Sequence, residues 1–255
     1  MRIAALYDIH GNLPALEAVL AEVELLDVDA IVVGGDVAPG AMTPETIARL
    51  RALGDRARFV MGNGDREVVE GIDADPAPDV AADDPFTRIL AAEVARLDRA
   101  DRDFLAAFEP VVRLQVDGVG PTLFCHGSPR SDTEIITQIT PPERLAPMLE
   151  GVDEPTVVIG HTHHQFTLQH GGRRVLNAGS VGMPYQGAAA AFWLLLGPDI
   201  DMRRTDYDVE GAIATMRAAG PPDIDEGMLA DSLVSPTDAD TVARIFEDRA
   251  TQDEA

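Results

Sequence analysis

Five short apolar runs in this chain each break off into glycine accompanied by a carboxylate, a carboxamide or an imidazole. Run 3–7 leads into Asp8-Ile9-His10-Gly11-Asn12, run 30–33 into Gly34-Gly35-Asp36, and run 59–61 into Gly62-Asn63-Gly64-Asp65. Run 122–124 leads into Cys125-His126-Gly127, and run 156–159 into Gly160-His161-Thr162-His163. Apolar runs of this length, bounded by turn residues, read as buried strands. In open α/β sheets ligands bind at the carboxyl ends of the strands, and glycine there lets the backbone approach a bound group closely. The pattern therefore predicts strands whose polar ends converge.

The segments between these runs fit that reading. Residues 13–26 carry Leu16, Val19, Leu20 and Val23 at helical spacing, and 44–53 reads as a second helix with Thr43 as its N-cap and Pro44 in its first turn. The order β-α-β-α-β argues for a mostly parallel sheet with helical cover. Residues 73–84, rich in Asp, Ala and Pro, read as a loop, followed by helices at 85–97, capped by Asp84, and at 101–108. Beyond them lie strands at 111–116 and 122–124, a helix at 141–149, and strands at 156–159, 166–169, 174–176, 191–196 and 200–204. His170, Gly171 and Gly172 read as a hairpin turn. The strand-rich second half suggests an α/β fold with two packed sheets flanked by helices. Helices are expected at 209–219, ended by Gly220-Pro221-Pro222, and at 241–249 before an acidic, frayed end. The chain is thus expected to form one domain over 1–205, with 71–109 as a helical insertion. Residues 206–255 form an acidic extension that packs on the core or trails from it.

Composition narrows the function. Hydrophobic residues make up 45% of the chain but aromatics only 5%, so the core is aliphatic. The 44 acidic residues outweigh 20 basic ones, all arginine, for a net charge of −24. Such a surface repels nucleic-acid backbones and anionic lipid. One cysteine, Cys125, excludes an internal disulfide and a Cys-rich zinc module and reads as a small buried residue. The longest apolar run, 188–196, is too short to span a bilayer, and the N-terminal run has no secretory character, so a cytoplasmic location is expected.

Asp, His and Asn at strand ends form an N/O ligand set suited to Mn, Fe, Zn, Co or Ni. Taken singly, Asp8 or Asp36 after a strand reads as a turn carboxylate, and Asn63 between glycines as a turn residue with positive φ. Jointly that reading must place four of the six histidines at strand ends by accident.

The ordered set D-x-H-G-N, G-G-D, G-N-x-D, C-H-G and G-H-T-H resembles the calcineurin-like metallophosphoesterase superfamily. The N-A-G-S-V at Asn177 to Val181 is similar to its small bacterial and archaeal members. The resemblance implies a four-layer αββα sandwich with two divalent ions, manganese favoured. One would be held by Asp8, His10, Asp36 and His163, the other by Asp36, Asn63, His126 and His161. It also implies hydrolysis of a small phosphomonoester or phosphodiester, such as a nucleotide, by in-line attack of a hydroxide bridging the two ions. Asp36, Asn63 and His126 are then the catalytic residues. Arg66, Arg130 and Tyr185 are candidates to touch the substrate; Asn177 is a further candidate, although it and Ser180 read first as supports of the loop beneath the site. Many members carry a histidine after the Asn of the third motif, where it assists the leaving group. Here Gly64 stands in its place, Asp65 is retained without it, and His164 is a candidate substitute. That departure keeps open an alternative, a non-catalytic metal-binding interaction module on the same fold.

Overall fold

Alternation along the first strand sorts its side chains between two different cores. In β1 (Ile3–Leu6) and the residue after it, Ile3, Ala5 and Tyr7 face one way and Ala4 and Leu6 the other, and all five are fully buried. A strand buried on both faces belongs in the middle of a layered sandwich. The structure, a computed structural model, describes residues 1–79, 81–219 and 229–253.

The first sheet has the order β10–β9–β1–β2–β3, with β2 (Ala30–Val33) and β3 (Ala57–Phe59) parallel to β1. β9 (Ala191–Leu196) runs antiparallel to β1, and β10 (Ile200–Thr205) antiparallel to β9. The second sheet has the order β4–β5–β6–β8–β7, built from β4 (Val112–Val116), β5 (Gly120–Phe124), β6 (Thr156–Ile159), β7 (Gln165–His170) and β8 (Arg173–Ala178). Its central strands β5, β6 and β8 are parallel, so both sheets are mixed.

Between the sheets, Ile3, Ala5, Tyr7, Val32 and Leu194 meet Phe124, Val158 and Leu176. Outside the first sheet, Leu6, Ile31, Val33 and Trp193 pack against α1 (Leu13–Val23) and α2 (Thr43–Arg51) through Leu16, Leu20, Ile47 and Leu50. Outside the second, Leu123, Val157 and Val175 pack against α6 (Pro142–Met148) through Leu145 and Met148. Two mixed five-stranded sheets with helices on their outer faces make the four-layer arrangement expected of the chain.

Several local expectations need correction. The third strand covers Ala57–Phe59 rather than 59–61, because Met61 donates its amide to Glu109 and leaves the sheet. Thr43 is the first residue of α2, not its N-cap; its hydroxyl donates to the Gly40 carbonyl instead of accepting from the helix. A helix unforeseen in the sequence, α3 (Asn63–Asp73), follows β3 directly. α4 (Pro85–Val94) begins as expected, with Asp84 accepting the Thr87 amide at 2.8 Å. α5 covers Arg99–Leu105, started by reciprocal Asp98 and Asp101 caps. His170 pairs with Arg173, leaving Gly171 and Gly172, at φ +57° and +79°, as the two-residue turn.

α7 (Val209–Ala219) buries Ala212, Ile213 and Met216 against Ala41 and Met42. The expected Gly220-Pro221-Pro222 stop lies outside the described residues. α8 (Ala239–Asp253) ends the described chain. Among the described residues no helix is long and apolar enough to cross a membrane.

Candidate metal centre

Strands from both sheets deliver the polar side chains to one edge of the sandwich. Asp8 and His10 follow β1, Asp36 follows β2, and Asn63 follows β3 as the first residue of α3. His126 follows β5 of the second sheet, and His161 and His163 follow β6. Six of these seven fall into two groups that share Asp36, namely Asp8, His10, Asp36 and His163, and Asp36, His126 and His161. Within each group one ligand atom per residue lies within 4.8 Å of the others. Asn63 lines the same 200 Å³ pocket as His10, Asp36, His161 and His163. Asp8, Asp36, His126 and His163 are buried.

The main chain holds this cluster in an uncommon shape. Six non-glycine residues among those described have positive φ, and five of them are Asp8, His10, Asp36, His161 and His163, at +46° to +65°. A side chain in this left-handed region is disfavoured, and clusters of such residues mark functional sites. The turns are pinned by neighbours. Asp8 donates its amide to Gly35 (3.1 Å), and its carbonyl accepts the Ser180 hydroxyl (2.7 Å) and the Gly182 amide (3.1 Å). The amide of His10 donates to the Asp36 carbonyl at 2.9 Å. Asn63 is not in this set; it opens a helix, so the left-handed-turn explanation for it does not hold.

Hydrogen bonds orient the imidazoles. Nδ1 of His126 donates to Gly34 O (3.0 Å), Nδ1 of His163 to Met183 O (2.8 Å), and Nδ1 of His10 to Pro39 O (3.2 Å). That leaves each Nε2 lone pair facing the cluster, the arrangement typical of metal-bound histidine. Nε2 of His163 is 3.3 Å from Asp8 Oδ1, and Nε2 of His126 is 3.4 Å from Asp36 Oδ2. His126 Nε2 and Asn63 Oδ1 are buried without a hydrogen-bond partner. Buried polar atoms left so are rare and costly, and two lone pairs stranded on one cluster fit a cation.

The electrostatics agree with a crowded centre. Burial would raise the Asp36 carboxyl, but the charge of His126, with those of His10 and His161 adding to it, holds it below its ordinary value. Burial lowers His126, yet the Asp36 carboxylate outweighs that and pushes it up to about 10. Burial, reinforced by repulsion from His126, lowers His161 to about 4. Burial and mutual repulsion thus keep the imidazoles from all being charged together.

The remaining candidates are placed as follows. Tyr185 stacks on His163 with ring centroids 5.1 Å apart and lines the 200 Å³ pocket. Arg66 donates from Nε to Asp132 at 2.7 Å and from Nη1 to Glu70, and faces a separate 420 Å³ pocket that also touches His126 and Arg130. Asn177 is fully buried; it donates to Gly160 O (2.7 Å) and Thr162 Oγ1 (3.0 Å) and accepts the Gly179 amide, so its carboxamide is spent on the loop behind the site. His164 is buried between Thr162 O and the Gln138 carboxamide, away from the pocket, so the structure removes it as a stand-in for the missing histidine. Cys125 lies in the outer core of the second sheet, where burial raises its thiol.

Sequence reasoning missed Phe86 and Phe246, which also line the 200 Å³ pocket. Phe246 lies on α8, more than sixty residues beyond the last motif, and only the tertiary fold brings it there.

Comparison with known proteins agrees with this geometry. Residues 1–196 match the model of the calcineurin-like phosphoesterase superfamily domain. The crystal structure of a metallophosphoesterase from Sphaerobacter thermophilus superposes with TM-score 0.70 at 26% identity, covering 92% of this chain and 99% of that one. A hypothetical protein from Pyrococcus horikoshii OT3 superposes with TM-score 0.71 at 18% identity, over 90% of this chain and 96% of that one. No curated protein matches the sequence.

Proposed function

Because the chain belongs to the calcineurin-like phosphoesterase superfamily, we propose that it is a dinuclear metal-dependent hydrolase of a small phosphomonoester or phosphodiester. The observation that carries this reading is the pair of ligand groups joined through Asp36. Asp8, His10 and His163 would hold one ion and Asn63, His126 and His161 the other, with Asp36 shared between them. The N/O donor set favours Mn, Fe, Zn, Co or Ni, with manganese the first choice. A pair of such cations supplies, when bound, positive charge for the phosphoryl oxygens and an acidified water as nucleophile.

The protein's own contribution is placement. The left-handed turns at Asp8, His10, Asp36, His161 and His163 fix the ligand directions, and the backbone carbonyls of Gly34, Met183 and Pro39 fix three ring orientations. The carboxylates Asp8 and Asp36 carry less charge than two dications, so the loaded centre would be locally cationic in a chain of net charge −24. Capture of an anionic substrate then falls to the centre rather than to the surface.

The test is metal-stripped protein titrated with Mn²⁺, Zn²⁺ and Co²⁺ and assayed with p-nitrophenyl phosphate and bis(p-nitrophenyl) phosphate. Metal-dependent release of p-nitrophenol is expected. Gly64 in place of a leaving-group histidine favours a second reading, a metal-binding scaffold, and ion uptake without turnover on either ester would select it.

A further inference from the structure

The metal pocket opens sideways into a larger cleft whose far wall is not part of the family-matched residues. The 510 Å³ cleft and the 200 Å³ metal pocket share Asn63, Phe86, His161 and Phe246 in their linings. Its volume lies within the roughly 300–1,000 Å³ of pockets that enclose organic ligands. Ile135 and Met148 supply further apolar surface on the side of the second sheet. The opposite side is α8, which places Phe246 with its ring centroid 6.5 Å from those of both His161 and Tyr185. α8 lies wholly beyond residue 196, where the family match ends.

Phe246 is held there by its neighbour. The Glu247 carboxylate accepts from Thr137 Oγ1 at 2.7 Å and from Thr140 Oγ1, and pairs with Arg144. Both partners of that ion pair are largely buried, with side chains 9% and 12% exposed. Gln138 donates to Ala239 O at the start of the same helix, and Val242, Ala243 and Ala250 are buried. α8 is thus a fastened wall, and its register fixes which residue meets the metal pocket.

From this geometry we infer that α8 forms a binding subsite for the organic part of the phosphoester, and that its occupant is a planar ring system of one or two rings lying against Phe246. This rests on the phosphoesterase reading and deepens it. A phosphoryl group at the metal ligands would direct its ester substituent toward a cleft lined by the charged Glu67, Glu134, Arg144 and Arg249 together with the aromatic Phe86 and Phe246 and the aliphatic Ile135 and Met148. Flat rings gain from stacking on such a surface. Glu247 acts as a positioning residue, since it touches no part of the cleft's occupant and works through the placement of Phe246.

The experiment uses the full chain loaded with Mn²⁺ and two phosphonates that it cannot hydrolyse at a phosphoester bond, methylphosphonate and (2-naphthyl)methylphosphonate, with affinities measured by calorimetry. The naphthyl compound is expected to bind at least about fivefold more tightly to the wild type, by the usual yield of ring stacking. That ratio should fall close to one in Phe246→Ala, survive in Phe246→Trp, and drop in Glu247→Ala. Equal affinities in the wild type, or an unchanged ratio in Phe246→Ala, would overturn the subsite. Parallel assays with p-nitrophenyl phosphate separate the two levels: turnover with equal phosphonate affinities sinks the subsite alone. Neither turnover nor phosphonate binding sinks the phosphoesterase reading with it.

Discussion

The amide of Gly64 donates a 2.8 Å hydrogen bond to Oδ1 of Asp36. The bond brings α3 so close to the loop after β2 that a Cβ at position 64 would overlap the Ala38 carbonyl oxygen and stand 3.0 Å from Pro39 Cδ and 3.1 Å from Asp36 Oδ1. The glycine that replaces the histidine of many relatives is therefore built into the local packing. Asp65 has a structural role without that histidine, accepting the amides of Ala38 (3.0 Å) and Gly62 (3.2 Å) and so tying together the loops that carry Asp36 and Asn63.

Gly64→His is accordingly expected to lower activity rather than restore a missing acid. Overpacking of this kind costs about 1–3 kcal/mol, and Gly64→Ala should already show most of it. Urea unfolding together with p-nitrophenyl phosphate turnover tests the point, and a Gly64→His enzyme faster than the wild type would refute it.

Asp36→Ala removes the carboxylate common to both ligand groups. Ion content measured by atomic emission should fall from about two per chain toward none. Activity should fall by more than the roughly 10–100-fold that follows loss of a supporting partner. His126→Ala touches one group only, and should leave about one ion per chain. Equal ion content in His126→Ala and wild type would contradict the assignment.

Glu93 makes stability depend on pH. It is 2% exposed on α4, and burial, opposed by Arg96, raises its carboxyl from an ordinary 4.5 to about 7. Between those values the folded chain keeps a proton that the unfolded chain releases. This contribution to stability therefore falls as pH rises from about 4.5 to about 7 and is flat outside that window. The loss is on the order of 3 kcal/mol at most. Glu93→Gln should match the wild type near the lower end and exceed it above the upper end in urea unfolding. A variant-to-wild-type difference that does not change with pH would count against this.

Tyr7 links the sheets and explains a glycine in the second motif. Its fully buried ring occupies the space that a Cβ on Gly34 would need, and its hydroxyl donates to Val158 O at 3.1 Å. Gly34→Ala should cost about 1–3 kcal/mol. Combining it with Tyr7→Leu should cost less than the sum of the two single changes by about 1 kcal/mol, since the clash is then removed. Strict additivity in a denaturation cycle would show that the two do not compete for space.

The strands and their polar ends were legible because two independent signals coincide there: an apolar run, and a break into residues of one chemical type. Those breaks gave the N/O donor set and the resemblance named the ligands among it, and the structure brings six of them together, Asp36 included, with Asn63 at the same pocket. α3 was not legible, since Asn63–Asp73 carries Asp65, Arg66, Glu67 and Glu70 between two glycines and buries little beyond Val68. It is a helix because Asp65 caps it and because α4 and α5 cover its few apolar residues, which is tertiary information. The place of Phe246 was hidden for a related reason. An aromatic residue in a short amphipathic segment has no local mark that separates a core contact from a cleft wall.

The left-handed turns have a consequence for transplanting this chemistry. Each side chain there sits in a basin disfavoured by about 1–2 kcal/mol, and only the amides and carbonyls of adjoining loops keep it from relaxing. A peptide carrying Gly-His-Thr-His, or a foreign scaffold given the same letters, would keep the imidazoles and lose their aim. What would recognise a cation is the rim of two sheets acting as a single mould, and the mould does not travel in pieces.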